Sequence, residues 1–322
     1  MADIVRKGST VYLNVTGRWY FYDVRSTPLG TGAMGTVYLG RSKDENRLVA
    51  IKKIHDRHSN SPSIRERAKL EAELMFRHDN LIEMVGYCEL FPNRGPLYII
   101  SNYISGKNID TFVRETWSNN TIDRVRKICT MFYPVLDALS YIHSKDIVHL
   151  DIKPSNIIVE NGRNVRLLDL GIAHVDNNEY HGGKQELVGT PKYAAPEQFG
   201  VGLNTILNAR TDIYEAGVTL YELLCGYNPF LSETLNESYQ KHKTIILPYT
   251  DNVPRKLVDV LRKATKHDQY ERYRSAVEFK NAIKTALIPE TQHKTIWAIL
   301  GMLIFVIIII SIIMVLKYGY SH

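Results

Sequence analysis

From Ile296 to Leu316 the chain reads IWAILGMLIFVIIIISIIMVL, 21 residues without one charge. As a helix this run would extend about 31 Å, the thickness of a bilayer's hydrocarbon core. A helix buried in a globular core rarely runs so long without a polar face, so a membrane span is expected. Trp297 sits near one interface, and Lys294 and Lys317 flank the run as anchors. Its place late in the chain excludes a cleaved signal peptide. Only KYGYSH follows it, at 317–322, so everything before the span is expected on one side of the membrane. The bias of Lys280, Lys284 and Lys294 against Lys317 puts that side in the cytoplasm.

Ahead of the span the texture changes once. Residues 19–104 carry short β-like runs such as WYFYDV, TVYLG, LVAIKKI and PLYIISNY, with one helical stretch among them. From about residue 108 helical periodicity dominates, as in TIDRVRKICTMFYPVLDALSYIHS and DIYEAGVTLYELLCG. A small β lobe at 19–104 and a larger helical lobe at 105–288 are expected, hinged near Asn102, Tyr103 and Ile104. Residues 1–18 are a short extension holding one candidate strand, STVYLNV, and 289–295 form a linker to the span. The 44% hydrophobic and 23% charged content fits a globular chain and not a disordered one. A net charge of +6 suits an anionic partner, but no run of five Lys or Arg occurs, so nucleic acid is not expected. Cys88, Cys129 and Cys225 lie far apart with no CxxC pair, which argues for a reducing compartment and against a zinc site.

Gly30, Gly32 and Gly35 punctuate GTGAMGTV between two strand-like runs. Glycines let backbone N–H groups close on phosphate oxygens, although a plain tight hairpin explains the pattern as well. The motif opens no helix, which excludes a dinucleotide-binding turn, and lacks the GK[ST] of a P-loop. Lys52 follows in VAIK, then a helix that Ser63 and Glu66 would start as a capping box and that would run to about Phe76. Glu71 and Glu73 on that helix project about 200° apart, so only one can face Lys52. Glu71 is favoured, with Met75 one turn later on its face. HLDIKPSN at 149–156, DLG at 169–171 and GTPKYAAPE at 189–197 then follow in order.

In that order, with Asp212 in DIYEAGVTLYEL and Arg272 in a late RYRSA stretch, the motifs resemble the signature of eukaryotic-type (Hanks-type) Ser/Thr protein kinases over roughly residues 19–288. The resemblance implies an α+β bilobal kinase fold, a β-rich N-lobe with one regulatory helix and a larger helical C-lobe, here followed by one transmembrane helix. It implies ATP and Mg²⁺, with Mn²⁺ as a substitute. Lys52 would hold the nucleotide's phosphates and be held by Glu71. Asp169 and Asn156 would carry the metal, Asp151 would orient the substrate hydroxyl and accept its proton, and Lys153 would steady the transferred phosphate. Leu29, Gly30, Gly32, Gly35, Val37 and Ala50 would enclose the nucleotide, with the backbone of Asn102, Tyr103 and Ile104 along the adenine edge. Glu197 would pair with Arg272 as a structural link, and Asp212 would be structural too. Lys153 and Thr190 match the Ser/Thr branch, and the partner would be a protein substrate.

Two positions depart from the family pattern. Leu170 stands in place of Phe and keeps an apolar plug. Leu150 replaces the Arg that would receive an activation-loop phosphate, and the stretch from Ile172 to Val188 holds no Ser or Thr. Both halves of that switch are missing together while Lys52, Asp151 and Asp169 remain. A non-RD kinase active without loop phosphorylation is therefore expected, controlled through its membrane anchor. The alternative is a membrane-anchored pseudokinase scaffold with little turnover. A homodimer through the span has weak support, because no GxxxG occurs in it.

Overall fold

The computed structural model describes residues 3–32, 34–58, 60–91, 94–117, 121–169, 173–174, 187, 189–200, 206–288 and 302–310. The N-lobe is one eight-stranded antiparallel sheet. Its strands are β1 (Ile4–Lys7), β2 (Thr10–Val15), β3 (Arg18–Asp23), β4 (Gly30–Thr31), β5 (Gly35–Ser42), β6 (Leu48–Ile54), β7 (Met84–Phe91) and β8 (Arg94–Asn102). They run in the order β1-β2-β3-β5-β6-β8-β7, with β4 paired to β5. Residues 1–18 thus do more than carry one strand: they add β1 and β2 to the lobe's own sheet. The alternation in TVYLNV explains why, since Val11, Leu13 and Val15 turn inward against Tyr20 and Tyr22 of β3. Thr16 and Gly17 both take positive φ, which makes the two-residue β2–β3 turn match the strands' twist.

Helix α1 (Pro62–Glu73) lies on β7 and β8. Its start differs from the expected capping box. Pro62 occupies the first helical turn with Ser61 at the N-cap, and Ser61 makes no side-chain cap bond. The helix ends at Glu73, and Met75 is 63% exposed, so the apolar row expected beside Glu71 does not reach that residue.

The C-lobe comprises β9 (Gly106–Asn108), α2 (Ile109–Thr116), α3 (Ile122–His143), β10 (Ile147–Val148), β11 (Ile157–Glu160), β12 (Asn164–Leu167), β13 (Ala173–His174), α4 (Ala209–Cys225), α5 (Leu235–Thr244), α6 (Arg255–Ala264) and α7 (Ala276–Ala286). Helix α4 is its axis. Every residue from Thr211 to Tyr221 is buried, and α3, α6 and α7 pack around it. Thr121, Asn208, Thr234 and Ser275 cap α3, α4, α5 and α7 with side-chain oxygens that accept first-turn N–H groups. The lobes meet where the Ile82 N–H donates to Leu167 O at 3.1 Å and the Leu167 N–H to Asn80 O at 2.8 Å.

Residues 302–310 are helical. The rest of the 296–316 run lies outside the described residues, and no described helix is long and apolar enough to cross a membrane.

Candidate active site

Strand β6 carries Lys52 and α1 carries Glu71, and the structure brings them together. Lys52 Nζ lies 3.8 Å from Glu71 Oε2 and 3.3 Å from Asp169 Oδ2. The selection between the two candidate glutamates is geometric, since Glu71 is buried facing Lys52 while Glu73 is exposed and lies near Tyr87 of β7. Burial disfavours the Lys52 ammonium, but Asp169 and Glu71 outweigh it and hold its pKa above the ordinary lysine range. Burial pushes the Glu71 carboxyl up to about 7, a rise that Lys52 only partly offsets.

Below the cleft, the loop between β10 and β11 holds Asp151, Lys153 and Asn156. Lys153 Nζ donates to Asp151 Oδ2 at 2.7 Å and to Thr190 Oγ1 at 2.6 Å, and the Thr190 hydroxyl donates to Asp151 Oδ1 at 2.6 Å. Asn156 Nδ2 donates to the Asp151 backbone O at 2.9 Å and to its Oδ2 at 3.1 Å. Burial alone would raise the Asp151 pKa, but Lys153 and Thr190 overcome it and hold the group below the usual carboxylate range. Such a carboxylate stays ionised and can accept hydrogen bonds at both oxygens.

The loop backbone is fastened from beneath. Asp212 of α4, fully buried, accepts the N–H groups of His149 at 2.8 Å and Leu150 at 2.9 Å, and His143 Nε2 at 2.7 Å. Glu215, one turn on, accepts the Ile152 N–H at 2.8 Å, Thr219 Oγ1 donates to Ile152 O at 2.9 Å, and Gln198 Nε2 donates to Leu150 O at 3.1 Å. Burial raises the Glu215 carboxyl well above its ordinary range. His149 is buried and held neutral by that burial. It receives the Asp151 N–H on Nδ1 and donates from Nε2 to Leu168 O, which fixes its tautomer. Leu150 is fully buried beside Val148 and Leu207, in the left-handed region at φ 63°.

Glu197 and Arg272 form a bidentate pair at 2.6 and 2.8 Å. Arg272 also donates to the carbonyls of Lys266, Arg210 and His267, so all five of its N–H donors are used.

In the upper lobe, added Cβ atoms at Gly30 and Gly32 would meet nothing within 4 Å, whereas one at Gly35 would lie 2.4 Å from Lys53 O. Gly35 is thus needed for strand contact, and the first two glycines leave open space. Leu29, 46% exposed, donates its N–H to Val37 O at 2.8 Å, and Val37 pairs across the strand with Lys52. Ala50, on β6 opposite Leu39, stands one residue from the strand partner of Asn102. The hinge backbone is less available than expected. The Asn102 N–H goes to Glu83 O at 2.9 Å and the Tyr103 N–H to Leu48 O at 3.4 Å, which leaves the Ile104 N–H without a backbone partner among the described residues. Leu170 and Gly171 lie outside the described residues, as does most of the stretch up to Gly189.

The donor set fits a divalent cation and a polyphosphate. Asp169 offers a half-exposed carboxylate, and the side-chain oxygen of Asn156 receives no donor among the described residues. Lys52 supplies the facing positive charge. Sequence reading placed His149 in the active-site loop without a role, and it missed Gln198 and Glu215. A second acid three residues after Asp212 inside the apolar α4 run was the available signal for Glu215.

A sheet lobe over a helical lobe, with this cation, carboxylate and amide set in the cleft, defines a bilobal phosphotransferase-type fold. The protein kinase domain family matches residues 24–285, and the chain belongs to that family. It is 28% identical over 278 residues to the serine/threonine-protein kinase PrkC of Bacillus subtilis, covering 84% of this chain and 41% of PrkC. It is 28% identical over 312 residues to the serine/threonine-protein kinase PknD of Chlamydia muridarum, covering 83% of this chain and 32% of PknD. The chain thus spans less than half the length of either relative. The crystal structure of the Mycobacterium tuberculosis PknI kinase domain, a double mutant, superposes with a TM-score of 0.63 at 21% identity, covering 89% of this chain and 99% of that one. That likeness is one of fold.

Proposed function

We propose that the chain is a membrane-anchored, ATP-dependent Ser/Thr protein kinase that works without phosphate on its activation segment. The observation that carries the reading is the assembled triangle of Asp151, Lys153 and Thr190 over a loop fastened by Asp212, Glu215 and Gln198. A loop phosphate ordinarily orders this region by meeting an Arg beside the catalytic Asp. Here Leu150 fills that position with buried apolar contacts, and side chains of α4 hold the loop backbone directly.

Bound ATP with Mg²⁺ supplies the phosphoryl group and neutralises its charge, with Asn156 and Asp169 as the residues to hold the metal. Lys52, steered by Glu71, would position the phosphates. Asp151 would align a Ser or Thr hydroxyl and take its proton, and Lys153 would hold charge that develops on the transferred group. Thr190, tied to both, would fix their spacing. Ser/Thr specificity is supported by the Lys153–Thr190 contact and by the names of the curated relatives. The uncharged run at 296–316 supports the anchor, with residues 289–295 as a short tether that keeps the catalytic lobes near the bilayer and raises their effective concentration toward membrane partners.

The test is labelled-ATP transfer by phosphatase-treated full-length protein in lipid discs, beside Asp169→Ala and beside a chain ending at His293. Transfer onto Ser or Thr without a lag, absent in Asp169→Ala, is expected. Wild type no faster than Asp169→Ala would instead support a nucleotide-binding scaffold. Partition of the shortened chain into the soluble fraction tests the anchor separately.

A further inference from the structure

Helix α1 must hold Glu71 within reach of Lys52, yet its own fastenings are slight. Its buried apolar side chains are Ala68 and Ala72, with Ile64 and Leu70 half-buried, and Ser61 makes no side-chain cap bond to the first turn. What does hold it is electrostatic. Arg65, 2% exposed, donates from Nη1 to Gly95 O at 2.7 Å and pairs through Nη2 with Glu89 of β7. Lys69, one turn further, donates to the other oxygen of Glu89 at 2.8 Å and lies 5.6 Å from the centre of the Tyr87 ring. One carboxylate therefore takes two cations of α1, on a different face of the helix from Glu71. Rotating or sliding the helix to withdraw Glu71 would separate Arg65 from Glu89 and leave a buried guanidinium without its counter-charge.

Strand β7 is itself braced from the far side. The amino-terminal hairpin β1–β2 stands at one end of the sheet order and β7 at the other, yet the two ends touch. A Cβ added at Gly86, where φ is +142°, would lie 2.7 Å from Val15 Cγ1. The Cys88 thiol donates to Asp3 O at 3.3 Å, and the Asn14 N–H fixes the same carbonyl at 2.7 Å. The hairpin at 4–15 precedes the first residue of the family match, Val24. The brace therefore lies outside the residues that the family match covers.

We infer that Glu89, backed by the amino-terminal hairpin, positions α1 so that Glu71 meets Lys52 without help from a loop phosphate. This rests on the phosphate-independent kinase reading above. Arg65, Lys69, Glu89 and Val15 are positioning residues, because none of them touches the reacting groups. The contact path runs from Val15 to β7, from Glu89 to α1 and from Glu71 to Lys52, each link a packed, hydrogen-bonded or ion-paired contact.

The test uses the full chain in lipid discs without nucleotide, with Glu89→Gln, Arg65→Lys and Val15→Ala. Amide hydrogen exchange is read across α1 and, as an internal reference, across α3 and α4. Glu89→Gln is expected to speed exchange in α1 by about tenfold or more, with α3 and α4 unchanged, and to lower kcat/KM for ATP by a similar factor. Val15→Ala should move α1 in the same direction by less. Unchanged α1 exchange in Glu89→Gln, or a rise shared equally by α1, α3 and α4, would overturn the inference. Wild-type exchange in Val15→Ala would remove the hairpin from it. Should Glu89→Gln fail to fold, Arg65→Lys decides, because lysine keeps the charge but cannot bridge Glu89 and Gly95 together. A wild type that transfers no phosphate would overturn the kinase reading, while the exchange data would still judge the brace.

Discussion

Restoring the family's arginine at position 150 should damage this protein rather than improve it. Leu150 is fully buried, clustered with Val148 and Leu207, and its loss forfeits about 2–3 kcal/mol of burial. An arginine there must also desolvate a guanidinium. The nearest backbone-fixing carboxylate, Asp212, already accepts from His149, Leu150 and His143, so pairing is poor and the penalty is several kcal/mol more. The expected total is about 4–6 kcal/mol, a large share of the ~5–15 kcal/mol that holds a typical protein folded. At about 2–4 °C per kcal/mol, the thermal midpoint should fall by roughly 10–20 °C. The control series is Leu150→Met, Ala and Gly. Methionine should cost under about 1.5 kcal/mol, and alanine about 2–3 kcal/mol. Because φ is 63°, alanine keeps the left-handed strain that glycine relieves, so glycine should be no less stable than alanine, against its usual deficit of about 1 kcal/mol. Differential scanning fluorimetry reads all four. Leu150→Arg melting within about 2 °C of wild type would refute the packing account, and glycine clearly below alanine would refute the backbone account.

Other outcomes follow from the same geometry. Glu71 titrates near 7, above its unfolded value of 4.5, so the folded state binds an extra proton between these values and stability falls as pH rises through that window. Glu71→Gln should flatten that slope in pH-dependent melting. Nucleotide affinity should move oppositely, weakening as pH drops through about 7 because protonated Glu71 no longer pairs with Lys52, and a fluorescent-nucleotide titration over pH 6–8 checks it. Arg272→Met takes a donor from three carbonyls and the counter-charge from a carboxylate 8% exposed, and should cost about 3–5 kcal/mol by chemical denaturation. Thr190→Val removes the hydroxyl joining Asp151 and Lys153, so kcat should fall about 10–100-fold with little change in KM for ATP, and Thr190→Ser should restore most of it.

The amino-acid order determined a good deal by itself. Periodicity separates the β lobe from the helical one, because buried side chains alternate every second residue in β2 and recur every third or fourth in α3. Lys52, Asp151, Asn156 and Asp169 stand out in short motifs whose chemistry admits few other residue types. Helical geometry narrows the partner of Lys52 to Glu71 or Glu73. The rest needed the folded chain. Arg65 and Glu89 look like ordinary surface charges in the sequence, and only the packing of α1 on β7 turns them into a buried pair. Leu150 reads as a lost arginine, and only the folded chain shows that it is fully buried beside Val148 and Leu207. The extension at 1–18 has no purpose in the sequence, since the contact of Val15 with Gly86 joins the two ends of a curled sheet. Local pattern records what a residue does to its neighbours in the chain, whereas these contacts exist only after closure brings distant segments together, and no local period encodes that.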